Sequence, residues 1–69
     1  MDIEVAKVIE LIGQSNESWD DAVKNAVYRA AKTVDNITGV EILNLTAAVS
    51  NGKIVGYKAN VKLAFGVNN

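Results

Sequence analysis

Few residues in this chain are equipped to do chemistry. It holds no cysteine and no histidine. Disulfides and thiolate metal sites are therefore excluded, and the commonest general base and the commonest transition-metal ligand are missing. The carboxylates Glu4, Glu10, Glu17, Asp20, Asp21, Asp35 and Glu41 show no spacing that makes an acid–base pair. No serine or threonine has a base partner beside it. No catalytic residue is assigned, and an enzyme is not expected. Asn16, Glu17, Asp20 and Asp21 cluster, but without the spacing of a calcium-binding loop. Compensation of a helix dipole is the favoured reading of that cluster, over a cation site. The only tryptophan, Trp19, is either a stacking platform or a packing residue, and packing on the core or a neighbour is expected. Tyr28 lies near the edge of an apolar stripe, where a subunit contact is its expected role. Tyr57 is expected in the core with its hydroxyl at the rim.

The element that must position these residues is the stretch Ser18 to Gly39, SWDDAVKNAVYRAAKTVDNITG. It reads as one amphipathic helix. Ser18 is the N-cap, and Asp21 reaches back to it as in a capping box. Trp19, Ala22, Val23, Ala26, Val27, Ala30, Ala31 and Val34 recur at three-and-four spacing and face inward. Acids come early and bases late, which suits the dipole. Gly39 is the expected terminator. Before the helix, β-branched residues predict a strand over Ala6 to Ile12, closed by Gly13; a short helix is the alternative. After it, two β-like runs flank Asn51-Gly52, a strong hairpin signal. A two-residue turn pairs Ser50 with Lys53. That register sets Thr46 opposite Tyr57, Ile42 opposite Val61, Val40 opposite Leu63 and Glu41 opposite Lys62.

In the last strand Val55, Tyr57, Ala59, Val61, Leu63, Phe65 and Val67 share the face that covers the helix. Lys58, Asn60 and Lys62 share the other with Glu41, where they meet a neighbouring subunit first and a ligand second. Val67-Asn68-Asn69 is expected to fray. The order strand, helix, strand, strand predicts an α+β fold: a β-α-β-β subunit with a three-stranded antiparallel sheet wrapped on one helix, its third strand in the middle. One domain over residues 1–69 is expected.

Composition sets the frame. The chain has 69 residues, a net charge of −1, no proline, and 49% hydrophobic residues. So small a domain has a modest core, and without disulfides or metal that hydrophobic fraction points to assembly. No apolar run approaches the roughly 20 residues of a membrane span. Asp2 and Glu4 stand where a secretory leader would be basic, so a cytoplasmic location is the default expectation. The near-neutral charge speaks against nucleic acid as a partner.

The run KVIELIGQSNESWDDAVKNAVYRAAKTVDNITGVEI, the Asn-Gly hairpin and YKANVKLAF together resemble the dodecin family. The resemblance extends from about Ala6 to Val67. The strand ending in Gly13, the Ser18-Trp19 helix start, Ala31-Lys32-Thr33, Asn36-Ile37, Gly39-Val40-Glu41 and the Tyr57 to Phe65 strand fall in order. It implies a β-α-β-β subunit in a hollow homododecamer. It also implies a non-enzymatic cage that binds and buffers a flavin, FMN or riboflavin, between subunits. The alternative is a shell without flavin, holding cations, coenzyme A or another small ligand. The implied ligand positions are Gly39, Glu41, Thr46 and Lys58. Flavin-binding members carry a stacking tryptophan where this chain has Gly39, and a glutamine where it has Lys58. The positions of their phosphate-binding bases are Thr46 and Gly66 here.

Overall fold

The computed structural model describes residues 5–67. Strand β1 (Ala6–Ser15) leads into helix α1 (Trp19–Ala30), then β2 (Ile37–Ser50) and β3 (Lys53–Gly66). All pairings are antiparallel, and the sheet order β1-β3-β2 puts the last strand in the middle. This is the expected β-α-β-β arrangement.

Ala22, Ala26 and Ala30 form the buried ridge of the helix and meet Ala59, Val61 and Leu63 of β3. Ile9, Leu11, Val23, Val27 and Ile37 pack around that centre. Small side chains on the ridge let the helix sit close to the sheet. The closest approach is at Gly13, where an added Cβ would stand 2.0 Å from the Ala22 carbonyl oxygen. Gly13 therefore does not close β1, as its type predicts. The strand runs on to Ser15, and the glycine is the seat of the helix within it.

The helix is shorter than its periodicity predicts. It ends at Ala30 and is followed by turns in which Lys32 and Thr33 donate to the carbonyls of Arg29 and Ala30. Ala31, expected to face inward, is exposed. Gly39 is not the terminator but a residue of β2. The left-handed turn of chain belongs to Asn36 (φ 64°), whose carbonyl accepts the Gly66 N–H at 3.0 Å. Asparagine tolerates that conformation because its side chain bonds locally.

The hairpin turn at Asn51-Gly52 has both residues at positive φ, 52° and 76°, as a two-residue primed turn requires. Ser50 pairs with Lys53, Glu41 with Lys62, Ile42 with Val61 and Val40 with Leu63, all as expected. Between them the expected register fails. Thr46 pairs with Lys58, and Tyr57 faces Ala47. Register irregularities lie between Ala48 and Val49, between Ile42 and Asn44 and, at the start of the strand, between Ile37 and Gly39. The first shifts the pairing by one residue and the second restores it. A one-residue shift moves side chains to the opposite face of a strand, so the intervening segment presents the face that simple counting assigns to the helix side.

Val67, expected to fray, donates its N–H to the Val5 carbonyl at 3.1 Å. Asn68 and Asn69 lie outside the described residues, as do Asp2 and Glu4.

Candidate functional site

Helix α1 covers one face of the sheet. The opposite face is built from alternate residues of all three strands in transverse rows. Val8, Ala64 and Gly39 form one row, and Glu10, Lys62 and Glu41 the next. Ile12, Asn60 and Asn44 follow, and then Gln14, Lys58 and Thr46. Gly39, Glu41, Thr46 and Lys58 thus share this helix-free face, and all four are exposed. Thr46 joins it only because of the two irregularities.

The structure brings these residues to one face but not to one point. Neighbouring strands lie about 4.8 Å apart and successive rows about 6.7 Å, so Thr46 and Lys58 are direct neighbours. Gly39 lies three rows away, about 20 Å along the strand. A ligand touching Gly39 and Lys58 together must therefore span the sheet or take the two positions from different copies of the chain. Gly66, the remaining position of the implied phosphate contact, is buried at the end of β3.

Packing does not demand glycine at position 39. A Cβ built there meets only the Ala64 Cβ at 3.9 Å, and the residue lacks the positive φ that excludes side chains. The consequence is an absent side chain at the position where the resemblance implies a stacking tryptophan in flavin-binding members. Beside it, Val27, Ile37, Thr38, Gly39 and Val40 line an open groove of about 220 Å³.

Glu10 and Glu41 flank Lys62 from its two sides. Carboxylates and carboxamide oxygens from Glu10, Glu41, Asn44, Asn60 and Gln14 are hard donors of the kind calcium takes. Two strand spacings, about 10 Å, separate Glu10 from Glu41, and the side chain of Lys62 stands between them. No group of three or more acidic side chains converges among the described residues. Of this set, Glu41 and Asn60 are legible in the hairpin. The Val8-Glu10-Ile12-Gln14 alternation places Glu10 and Gln14 on this face, whereas Asn44 reaches it only through the irregularity after Ile42.

The acidic cluster before the helix has a structural occupation. Ser18 Oγ accepts the Asp21 N–H at 3.0 Å. The Asp21 carboxylate does not return to the Ser18 backbone as a capping box requires. It accepts the Ser15 hydroxyl at 2.6 Å, and Ser15 Oγ in turn accepts the N–H groups of Glu17 and Ser18. Trp19 packs, as expected, edge-on to Tyr57 with ring centroids 4.9 Å apart. Its indole N–H donates to the Thr46 carbonyl at 2.7 Å. Tyr57 is half-buried, while Tyr28 is 71% exposed with the Lys32 ammonium 5.4 Å from its ring centroid.

Comparison with known proteins now decides the family. The family model described as Dodecin matches residues 5–68. The chain belongs to the dodecin family. A calcium dodecin of Mycobacterium tuberculosis is 34% identical over 61 residues, covering 88% of this chain and 86% of that protein. Among solved structures, dodecin from Streptomyces coelicolor superposes with a TM-score of 0.90 at 28% identity, covering 94% of this chain and 93% of that one. The crystal structure of the Mycobacterium tuberculosis calcium dodecin, described as having a novel calcium-binding site, matches with a TM-score of 0.81 at 36% identity, with the same coverage of 94% and 93%. No helix among the described residues is long and apolar enough to cross a membrane.

Proposed function

We propose that this dodecin is the subunit of a non-enzymatic, self-assembled shell that holds a divalent cation such as calcium between copies, against the helix-free face of its sheet. The observation that carries the reading is the composition of that face. It offers Glu10, Glu41, Asn44 and Asn60 as oxygen donors, and at Gly39 it lacks the ring on which a flavin would stack. The 34% identity to a calcium dodecin supports the same ligand class. Lys62 stands between Glu10 and Glu41 in the same chain, so each carboxylate turns to an ion shared with a neighbouring copy. Such an ion supplies charge that offsets carboxylates brought together by assembly. An inert role suits a chain without histidine or cysteine.

A second reading, storage of FMN or riboflavin, is favoured by one local observation. Gly39 leaves the surface over Ala64 open to a flat ring, and Lys58 beside Thr46 offers an ammonium to a phosphate.

Native mass spectrometry on protein purified without added ligand tests both. Twelve chains of 7.4 kDa make a shell of about 89 kDa. The expected result is that mass with calcium-sized increments that EDTA removes. Increments the mass of a flavin, or a yellow protein, would replace the first reading by the second. A monomer or dimer would overturn the shell itself.

A further inference from the structure

Segment Asn44–Ala48 of β2 lies between two register irregularities, and its pairing decides whether Thr46 stands beside Lys58 or faces the helix side. β2 is an edge strand. The buried ridge of the helix meets β3 and lies against Gly13 of β1, so little else bears on this segment from above. Val40, Ile42 and Leu45 remain 45%, 51% and 47% exposed. Irregular pairing on a free edge specifies register weakly, since backbone groups on one side have no partner strand.

One side chain reaches across. The Trp19 indole lies edge-on against Tyr57 of β3 and donates to the carbonyl of Thr46 on β2. Tyr57 is the residue before Lys58 and pairs with Ala47, the residue after Thr46. The indole therefore grips the rung adjoining the Thr46–Lys58 pair on both of its strands. Its own position is fixed from β1. Ser15, nearly buried, holds Asp21 and the Ser18 N–H, and Ser18 caps the helix that begins at Trp19.

We propose that Trp19 is a positioning residue that locks the register of Asn44–Ala48, and so keeps Thr46 next to Lys58 on the helix-free face. It touches no ligand itself; it acts from the opposite side of the sheet through one backbone hydrogen bond. The proposal rests on the reading of that face as the ligand face only for its functional consequence, not for the lock.

The test uses the absence of native cysteine. Directly opposed residues of antiparallel strands have Cα atoms about 4.5–5.5 Å apart, within the range a disulfide bridges. Thr46→Cys with Lys58→Cys, in the full-length protein under a glutathione redox buffer, should form an intrachain disulfide. Adding Trp19→Phe keeps an aromatic ring against Tyr57 but removes the donor. The expected result is a fall of about tenfold in the rate of that cross-link, the loss of roughly one hydrogen bond. Glu41→Cys with Lys62→Cys lies beyond the second irregularity, outside the segment, and should cross-link at the same rate with either residue at position 19. Equal rates for the Thr46–Lys58 pair would overturn the lock. An equal slowing of both pairs would also overturn it, because Trp19 would then be a general packing residue. FMN and calcium titrations of the cysteine-free protein form a separate arm. Binding of neither would remove the ligand reading of the face while leaving the cross-linking result to decide the lock.

Discussion

Gly13 is the residue on which the helix–sheet contact turns. Its missing Cβ admits the Ala22 carbonyl, and Ala22 and Ala26 admit the strand in return. Gly13→Ala places a methyl against backbone rather than against a mobile side chain, so the helix must lift. We expect a loss of about 3 kcal/mol, the upper end of ordinary overpacking. A smaller addition of the same kind is Ala26→Leu, at a residue 3% exposed, which should cost about 1–3 kcal/mol. Urea midpoints at fixed protein concentration measure both, and unchanged midpoints would mean that the helix does not sit on β1 through this face. Gly39 offers the contrast. Nothing crowds it, so Gly39→Ala should leave the midpoint within about 0.5 kcal/mol of the parent.

At the scale of elements, the start of α1 is a small polar hub. Ser18 caps one N–H, whereas Ser15 Oγ accepts two backbone N–H groups and donates to Asp21. Ser18→Ala should therefore cost about 1 kcal/mol, the usual value of an N-cap. Ser15→Ala leaves several partly buried groups unpaired at once and should cost about 1–3 kcal/mol. Equal midpoints for the two variants would show that water replaces Ser15 without penalty. The same hub explains why the helix begins at Trp19 with the indole already aimed toward β2.

The whole molecule is elongated, 52 × 20 × 13 Å, because its elements differ in length. A helix of 12 residues is about 18 Å long, while strands of 14 residues run about 46 Å. One such helix cannot cover the hairpin. Val40, Ile42, Leu45, Val49, Ile54 and Val55 are left exposed along it. An apolar surface of that extent marks an association face. Ile42→Lys places a charge in its middle, and the expected outcome is a shift from the assembled mass to small species, read by native mass spectrometry or light scattering. Assembly at the parent mass would move the subunit contact away from β2.

The local physics of the chain determined the elements and their order. Spacing of alanine and valine marked the helix face, β-branched runs marked the strands, and Asn51-Gly52 set the turn and the register at both its near and far ends. The lone Trp19 was legible as a packing residue. The sequence alone also placed Glu41 and Lys58 in strands, but not on a common face with Thr46. That depended on paired irregularities, which leave the residue pattern at either end of the hairpin unchanged and so are invisible to counting. Gly13 and Gly39 both read as terminators, and both lie inside strands, for a related reason. A glycine's type does not say whether it ends an element or admits a neighbour, and only the packing of α1 on β1 decides. Where long-range contacts choose between locally equivalent conformations, tertiary structure settled the helix seat, the length of β1 and the face that Thr46 presents.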